Sequence, residues 1–113
     1  MFLLAPFLGS EYNTKVMRVI SRKTLRELWG KHPNVRQSLQ AWYDDTKHAE
    51  WKNPSDIKKA YRNASFVGND RVVFNLKGNN HRLVVAIHYE HNIVFIRFVG
   101  THQEYDKIDA AKV

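Results

Sequence analysis

From Arg71 to Val99 the chain reads RVVFNLKGNNHRLVVAIHYEHNIVFIRFV, and this stretch decides the fold. It holds three runs rich in β-branched and aromatic residues, which favour strands. Between the runs stand Asn79-Asn80 and His91-Asn92, and asparagine tolerates the positive φ that tight turns require. The pattern therefore predicts three antiparallel strands, over residues 71–77, 82–89 and 93–99.

Two-residue turns at both points would set which side chains share a face of the sheet. The pairs that they predict on one face are Leu76 with Leu83, Phe74 with Val85, Tyr89 with Val94, and Ile87 with Ile96. With Val72 and Phe98, these side chains would form the core. On the opposite face Arg97 is expected to lie across from Ala86. A guanidinium in that setting requires an anion, which is either a local acid such as Asp106, the chain end, or the phosphate of a ligand.

The N-terminal half of the chain predicts a short strand and an α-hairpin. Met17 to Ile20 is the strand, and Ser21 is placed to cap a first helix that ends at Gly30. Pro33 suits the first turn of a second helix. The apolar residues at helical spacing, which would pack both helices on the core face of the sheet, are Leu25, Leu28, Trp29, Val35, Leu39, Trp42 and Tyr43.

These elements predict an α+β fold with a small antiparallel-type sheet. The sheet would consist of the three C-terminal strands plus the short N-terminal strand, with the α-hairpin on one face and a short helix at the C-terminus. A helical turn beginning at Pro54 and a connection over residues 63–70 lie between the two halves. Residues 1–16 show no sustained period, so we assign them as an N-terminal extension to a single domain over residues 17–113.

Composition narrows the classes of function. The 113 residues include no cysteine, so disulfide frameworks and thiolate zinc sites are excluded. The apolar run Met1 to Leu8 is interrupted by Pro6 and is too short to span a bilayer. A net charge of +7 and a pI near 9.8 favour polyanions or acidic proteins as partners. We expect a cytoplasmic protein without a membrane partner.

The stretch Gly100 to Asp106, GTHQEYD, carries more chemistry than the fold requires. Thr101 and Glu104 have the spacing of a capping box, which accounts for both residues by structure alone. His102 and Tyr105 have no such explanation, and their spacing of three places them on one face of a short helix. They are therefore the leading candidates for a site.

Two stretches of the sequence resemble a known family. Residues 74–82 read FNLKGNNHR and residues 96–106 read IRFVGTHQEYD, and both are similar to HigB-type toxins of the RelE superfamily. The resemblance extends over about Met17 to Asp109. It implies a bacterial mRNA interferase that in many relatives acts on the ribosome, and a cognate antitoxin with a helix-turn-helix domain. The G-N-x-x-R motif of the family falls on Gly78, Asn79 and Arg82.

Independently of that resemblance, the side chains suit RNA cleavage by attack of a ribose 2′-OH on the adjacent phosphate, with no metal or other cofactor. His102 is the preferred general base, since its ordinary pKa of about 6.5 is near neutral pH. Arg82 and Arg97 would hold the scissile phosphate, and Tyr105 would stack on a base or bind the phosphate. Lys77 would bind the backbone or donate a proton. Further candidates for RNA contact on the sheet are Asn75, Asn79, His81, His88 and Arg71.

Other interpretations of the sequence remain open. A non-catalytic RNA- or DNA-binding module would use the same basic sheet, although the predicted groove face exposes few aromatic residues, mainly Phe95. A third interpretation is a degenerate toxin that binds an antitoxin and has no catalytic activity. A zinc site built from His81, His88 and His102 is conceivable, but we predict none. His88 and His91 flank the second hairpin with no carboxylate at ligand spacing, which indicates surface histidines.

Overall fold

The computed structural model of the protein describes residues 2–3, 16–30, 32–76 and 80–113. In chain order the elements are β1 (Phe2–Leu3), β2 (Arg18–Ser21), α1 (Leu25–Trp29), a 3-10 turn (Pro33–Val35), α2 (Arg36–Lys47), α3 (Pro54–Ala60), β3 (Ser65–Val67), β4 (Arg71–Leu76), β5 (His81–His88), β6 (Ile93–Thr101) and α4 (His102–Tyr105). The strands form one sheet in the order β1-β2-β6-β5-β4-β3. The α+β class, the α-hairpin and the short C-terminal helix are confirmed.

The sheet is mixed, because β2 runs parallel to β6 while the other neighbouring strands are antiparallel. Pairing between β2 and β6 covers only Arg18 to Ile20 on one strand and Ile93 to Phe95 on the other. The remainder of β6 is paired on its β5 side alone among the described strands. Within the predicted N-terminal extension, Phe2–Leu3 pair with β2, and residues 4–15 lie outside the described ones.

The cap of α1 is Thr24 and not Ser21 as predicted. Thr24 Oγ1 accepts from the Glu27 N–H, and Glu27 Oε1 accepts from the Thr24 N–H, each at 3.1 Å, which completes a capping box. Ser21 instead ends β2, where it pairs with Phe2 of β1. The strand continues one residue beyond the predicted end because it has this second neighbour, which the local pattern does not reveal.

The core lies between the sheet and the α-hairpin, and we call this side of the sheet the hairpin face. Its helical part is the predicted one, since Val35, Leu39, Trp42 and Tyr43 are all buried. α3 starts at an Asn53 cap and adds Ile57, which is completely buried. Sheet residues with the predicted alternation complete this core, namely Val72, Phe74, Leu76, Leu83, Val85, Ile87, Val94 and Ile96.

The strand registers differ from the prediction by two residues in both hairpins. Phe74 pairs with Leu83, not with Val85, because the last pair of these strands is Leu76 with His81, with four residues between them where a two-residue turn was expected. Ile87 pairs with Val94, not with Ile96, because the next connection runs from Tyr89 to Asn92, where Asn92 has a φ of 56°. Side chains alternate with a period of two, so a shift of two changes the partners and keeps the faces.

A bulge in β6 changes the faces as well. Val84 and Val85 are consecutive, but their partners Phe98 and Ile96 are two residues apart, so Arg97 is an extra residue. From this point the alternation of β6 is inverted. Phe98 packs on the side opposite the hairpin face and Val99 packs against the hairpin core, which reverses the prediction for both.

The side opposite the hairpin face, which we call the tail face, is partly covered by the C-terminal segment, residues 106–113. Val73 and Val84 of the sheet form a second buried cluster with Ala110. The members packed around them are Val67, Phe98, Tyr105, Ile108 and Val113. The tail face is therefore not the open groove that alternation alone would leave.

Residues 65–67 form strand β3 on β4, although residues 63–70 were predicted to be a connection. Asn69 and Asp70 have φ values of 61° and 59°, which allow the chain to reverse between the two strands. The side-chain amide of Asn69 donates to the Ala111 carbonyl at 2.8 Å. The β3–β4 hairpin thereby holds the C-terminal segment.

The burial of Ala110 predicts that this residue attaches the C-terminal segment to the tail face. Replacing Ala110, which is 8% exposed, with Glu places a carboxylate against Val73 and Val84, and we expect a loss of roughly 1–3 kcal/mol in the free energy of unfolding. Amide hydrogen exchange should accelerate over residues 106–113 and stay unchanged in α2. Ala41→Glu, at an exposed position of α2, is the matched control. Equal stability of the two variants would contradict this account of the tail face.

Candidate active site

The site begins where β6 passes into α4. Glu104 Oε1 accepts from the Thr101 N–H at 2.8 Å, and Thr101 Oγ1 accepts from the Glu104 N–H at 3.1 Å, which confirms the predicted capping box. The His102 N–H donates to the Asn80 carbonyl at 3.2 Å. The start of α4 is thus fixed both by its own cap and by the β4–β5 connection.

Glu104 also joins α4 to the α-hairpin. His32 Nε2, just before the 3-10 turn, lies 2.9 Å from Glu104 Oε1, which makes a hydrogen bond or, with a protonated imidazole, an ion pair. The Thr101 N–H and then the His32 ring lower the pKa of Glu104 from its ordinary value of 4.5. Nothing in the local sequence indicated His32, since its partner is distant along the chain.

His102 and Asp106 form a pair on α4. His102 Nδ1 lies 3.3 Å from Asp106 Oδ2, and both side chains are more than half exposed, at 56% and 60%. With Asp106 ionised, the contact favours the tautomer that carries its proton on Nδ1. The Nε2 lone pair then remains available to accept a proton.

Three of the predicted site residues share the tail face near α4. Arg82 pairs with Asn75 on one side and with Gly100 on the other, and both Arg82 and Asn75 are half-buried. Tyr105 packs on the same face, against the cluster that contains Val84. Lys77 and Asn79 lie outside the described residues. The structure therefore brings Asn75, Arg82 and Tyr105 to one side of the sheet, at the end where His102 is located.

Arg97 does not lie across from Ala86 as predicted. Ala86 pairs with Phe95, and Arg97 is the exposed extra residue of the bulge. No ion pair or hydrogen bond joins its guanidinium to another described residue, so neither Asp106 nor the C-terminal segment neutralises it. Its charge remains available at the surface.

The other predicted contacts are separated from this group. His81 is 5% exposed on the hairpin face, with its ring 5.1 Å from that of His32. His88 ends β5 seven residues later, roughly 23 Å away at 3.3 Å per residue, and its ring lies 5.3 Å from that of Phe95. Arg71 Nε and Nη2 donate to the Val113 main-chain oxygen at 3.1 and 2.9 Å. Its guanidinium anchors the C-terminal segment.

The structure adds a cleft that the sequence did not reveal. It has a volume of about 550 Å³ and lies between α1 and the part of β6 that β2 does not cover. Its charged lining comes from distant parts of the chain: Arg22, Lys23, Glu27, His32, Arg97, Glu104 and Lys112. The sequence does not reveal this charged group because its members are far apart along the chain.

Within the described parts of the chain, no three His, Asp or Glu side chains are grouped as ligands for a metal ion. No helix in those parts of the chain has both the length and the apolar character needed to cross a membrane.

Comparison with known proteins agrees with the resemblance in the sequence. A sequence model of the HigB toxin family, the RelE-like toxic component of a toxin-antitoxin system, matches residues 35–108. The mRNA interferase HigB of Escherichia coli O6:H1 (strain CFT073) is 28% identical over 94 residues, which are 81% of this chain and 91% of the relative. The mRNA interferase toxin HigB of Escherichia coli K12 is 32% identical over 92 residues, 80% of this chain and 88% of the relative. The mRNA interferase HigB of Shigella flexneri shows the same identity and coverage.

Gly100 is predicted to be required for the approach of α4 to the sheet. A Cβ atom there would lie 2.6 Å from Phe98 Cζ and 2.8 Å from Glu104 Oε1, so both the ring and the capping carboxylate must move. We expect Gly100→Ala to lower the free energy of unfolding by roughly 1–3 kcal/mol in urea titrations. Gly68→Ala is the control, because its Cβ would meet only Ala111 Cβ at 3.7 Å. Equal free energies of unfolding for the two variants would show that the close packing at Gly100 does not contribute to stability.

The lowered pKa of Glu104 predicts a pH dependence. A carboxyl group with a lower pKa in the folded state stabilises the fold above its ordinary value of 4.5, and this contribution is lost as pH falls through the folded value. The difference in unfolding free energy between the wild type and Glu104→Gln should therefore be fully present above pH 4.5, decline as pH falls from 4.5 towards the lower folded pKa, and vanish below that folded value. Chemical denaturation at several pH values measures this. Glu90→Gln, in the exposed β5–β6 turn, is the control. A difference independent of pH would rule out the carboxylate as its source.

Proposed function

Because the chain belongs to the HigB family of RelE-like toxins, we propose that it is an endoribonuclease that cleaves mRNA and thereby inhibits translation. Its relatives in Escherichia coli and Shigella flexneri are named mRNA interferases, which supports the reaction. The observation that carries the proposal is the exposed His102–Asp106 pair, held on a fixed backbone beside Arg82 and Tyr105.

In the proposed mechanism the 2′-OH of one nucleotide attacks the adjacent phosphorus, and the bond to the 5′-oxygen of the next nucleotide breaks. His102 Nε2 takes the proton of the 2′-OH, while Asp106 holds Nδ1–H and stabilises the imidazolium that forms. The products are a 2′,3′-cyclic phosphate and a free 5′-OH. Nucleophile and phosphorus belong to one molecule, so the protein has only to orient them and to compensate charge.

Charge compensation is assigned to the guanidinium groups. Arg82 stands at the α4 end of the tail face, where it would bind the phosphate as its negative charge increases. Arg97, exposed at the bulge, would bind the same phosphate or its neighbour. We assign protonation of the leaving 5′-oxygen to Tyr105 or to Lys77. No metal or organic cofactor enters this scheme.

The partners in this proposal are mRNA, the ribosome and an antitoxin. A net charge of +7 supports association with ribosome-bound RNA, because a basic surface attracts polyanions over long distances. The family is defined by its place in a toxin-antitoxin system, which supports a cognate antitoxin, and we propose one with a helix-turn-helix domain.

Substitution of His102 tests the mechanism. We expect His102→Ala to lower mRNA cleavage at least about 100-fold, which is the usual contribution of a general base. Primer extension on an mRNA in a reconstituted translation reaction, with and without ribosomes, measures cleavage and its dependence on the ribosome. His91→Ala, at an exposed position in the distant β5–β6 turn, should cleave like the wild type. Both variants should unfold normally, since the His102 side chain is 56% exposed.

The outcomes separate the candidate functions. Near-wild-type turnover by His102→Ala would remove His102 from the mechanism. RNA binding by the wild type without any cut would instead favour the non-catalytic binding module.

A further inference from the structure

The cleft between α1 and β6 lies at an open edge of the sheet. β2 stops pairing with β6 at Phe95, so the next six residues of β6, from Ile96 to Thr101, have no described strand on that side. α1 bounds the cleft through Leu28, and Lys112 and Val113 bound it on the other side. It reaches α4 at Glu104, two residues after the proposed base.

The rim of this cleft is positively charged. Arg22, Lys23, Arg97 and Lys112 are all exposed, and none of the first three has an ion pair with another described residue. Lys112 Nζ lies 3.9 Å from Asp109 Oδ2, at the limit of an ion pair. Four cations at one cleft repel one another unless an anion joins them, so the site favours a negatively charged ligand.

Both carboxylates that line the cleft are engaged elsewhere. Glu27 Oε1 accepts from the Thr24 N–H, and Glu104 Oε1 accepts from the Thr101 N–H and contacts His32. The two acids therefore complete helix caps and form no described ion pair with Arg22, Lys23 or Arg97, and four cations against two carboxylate side chains leave the lining of the cleft net positive.

The side of the cleft formed by β6 carries aromatic side chains, which suit contact with a nucleobase. Phe95 and Phe98 are both half-exposed residues of β6 that line the cleft, and Val99 lies beside them. Aromatic rings next to a basic rim are the usual means by which proteins bind single-stranded nucleic acid, with bases stacked and phosphates paired. A volume of about 550 Å³ accommodates a small organic ligand of nucleotide size.

We propose that this cleft is a subsite for one nucleotide of single-stranded RNA next to the bond to be cleaved. Arg22 and Lys23 bind its phosphate, Phe95 and Phe98 contact its base, and Arg97 connects the subsite to the reacting phosphate. This inference rests on the proposed ribonuclease function and adds a second contact region to it. An acidic peptide that adds a strand to the open edge of β6 would use the same cations but would leave the aromatic contacts without a role.

Binding of an uncleavable RNA tests the subsite apart from catalysis. A short oligoribonucleotide with 2′-O-methyl groups throughout cannot undergo 2′-OH attack, and fluorescence anisotropy measures its Kd at several salt concentrations. We expect the double variant Arg22→Ala, Lys23→Ala to bind roughly tenfold more weakly, with a log Kd against log salt slope reduced by roughly 0.7 to 1.4. Replacing the same two residues with Glu should weaken binding further.

The matched control removes two positive charges elsewhere. Lys59 and Arg62, in and just after α3, are exposed, do not line the cleft and have no described ion pair. The variant Lys59→Ala, Arg62→Ala should change the Kd less than twofold. Thermal unfolding of each variant confirms that the fold is intact.

Three results would overturn the subsite. One is equal loss of RNA affinity in the cleft and control variants, which would indicate a general effect of net charge. Another is unchanged RNA affinity in the cleft variant. The last is unchanged RNA affinity with lost binding of the antitoxin, which would assign the open edge of β6 to the protein partner. Cleavage of mRNA by the wild type is measured separately, so the subsite can fail while the proposed function stands.

Discussion

An extra residue in β6 is the constraint on which the candidate site depends. The bulge at Arg97 inverts the alternation of the strand, so that Phe98 and Gly100 face the tail side and Val99 and Thr101 face the α-hairpin. Without it, Phe98 would enter a core that the helices already fill, and the second cluster would lose its largest ring. The same bulge turns Arg97 out of the sheet, which leaves its charge available at the surface.

The inverted strand end determines how α4 is held. A four-residue helix has no stability of its own, because nucleating a helix costs more than so few hydrogen bonds return. α4 is supported by its capping box, by the Asn80 carbonyl, by the packing of Tyr105 and by the contact between Glu104 and His32. Its backbone is thereby fixed while the His102 side chain stays accessible. A general base needs this combination of a constant position and contact with substrate.

Charge is distributed in a consistent way around this helix. Carboxylates near the site are used locally: Glu27 and Glu104 complete caps, and Asp106 orients an imidazole. The main-chain oxygen of Val113 in the C-terminal segment accepts hydrogen bonds from Arg71, which begins β4 at the end opposite Leu76. Among the described residues, no acidic side chain forms an ion pair with Arg22, Lys23 or Arg97 of the cleft. The positive potential is therefore concentrated along β6, where the proposed substrate would lie.

The local spacing of residues in the sequence was sufficient to predict many elements of the structure. The capping box of Thr101 and Glu104, the buried face of α2 and the three C-terminal strands all follow from local spacing, and they are confirmed. Predicted faces of the sheet survived a two-residue error in register because side chains alternate with that same period, except for Phe98 and Val99 beyond the bulge, which exchanged faces. The motif that carries His102, Tyr105 and Asp106 was likewise evident from the sequence.

Tertiary structure alone decided which residues meet. The parallel pairing of β2 with β6, the contact between Glu104 and His32, and the gathering of Arg22, Lys23 and Arg97 at one cleft join segments far apart in the chain. Such contacts depend on how whole elements pack, and packing free energy has no signature in the spacing of neighbouring residues.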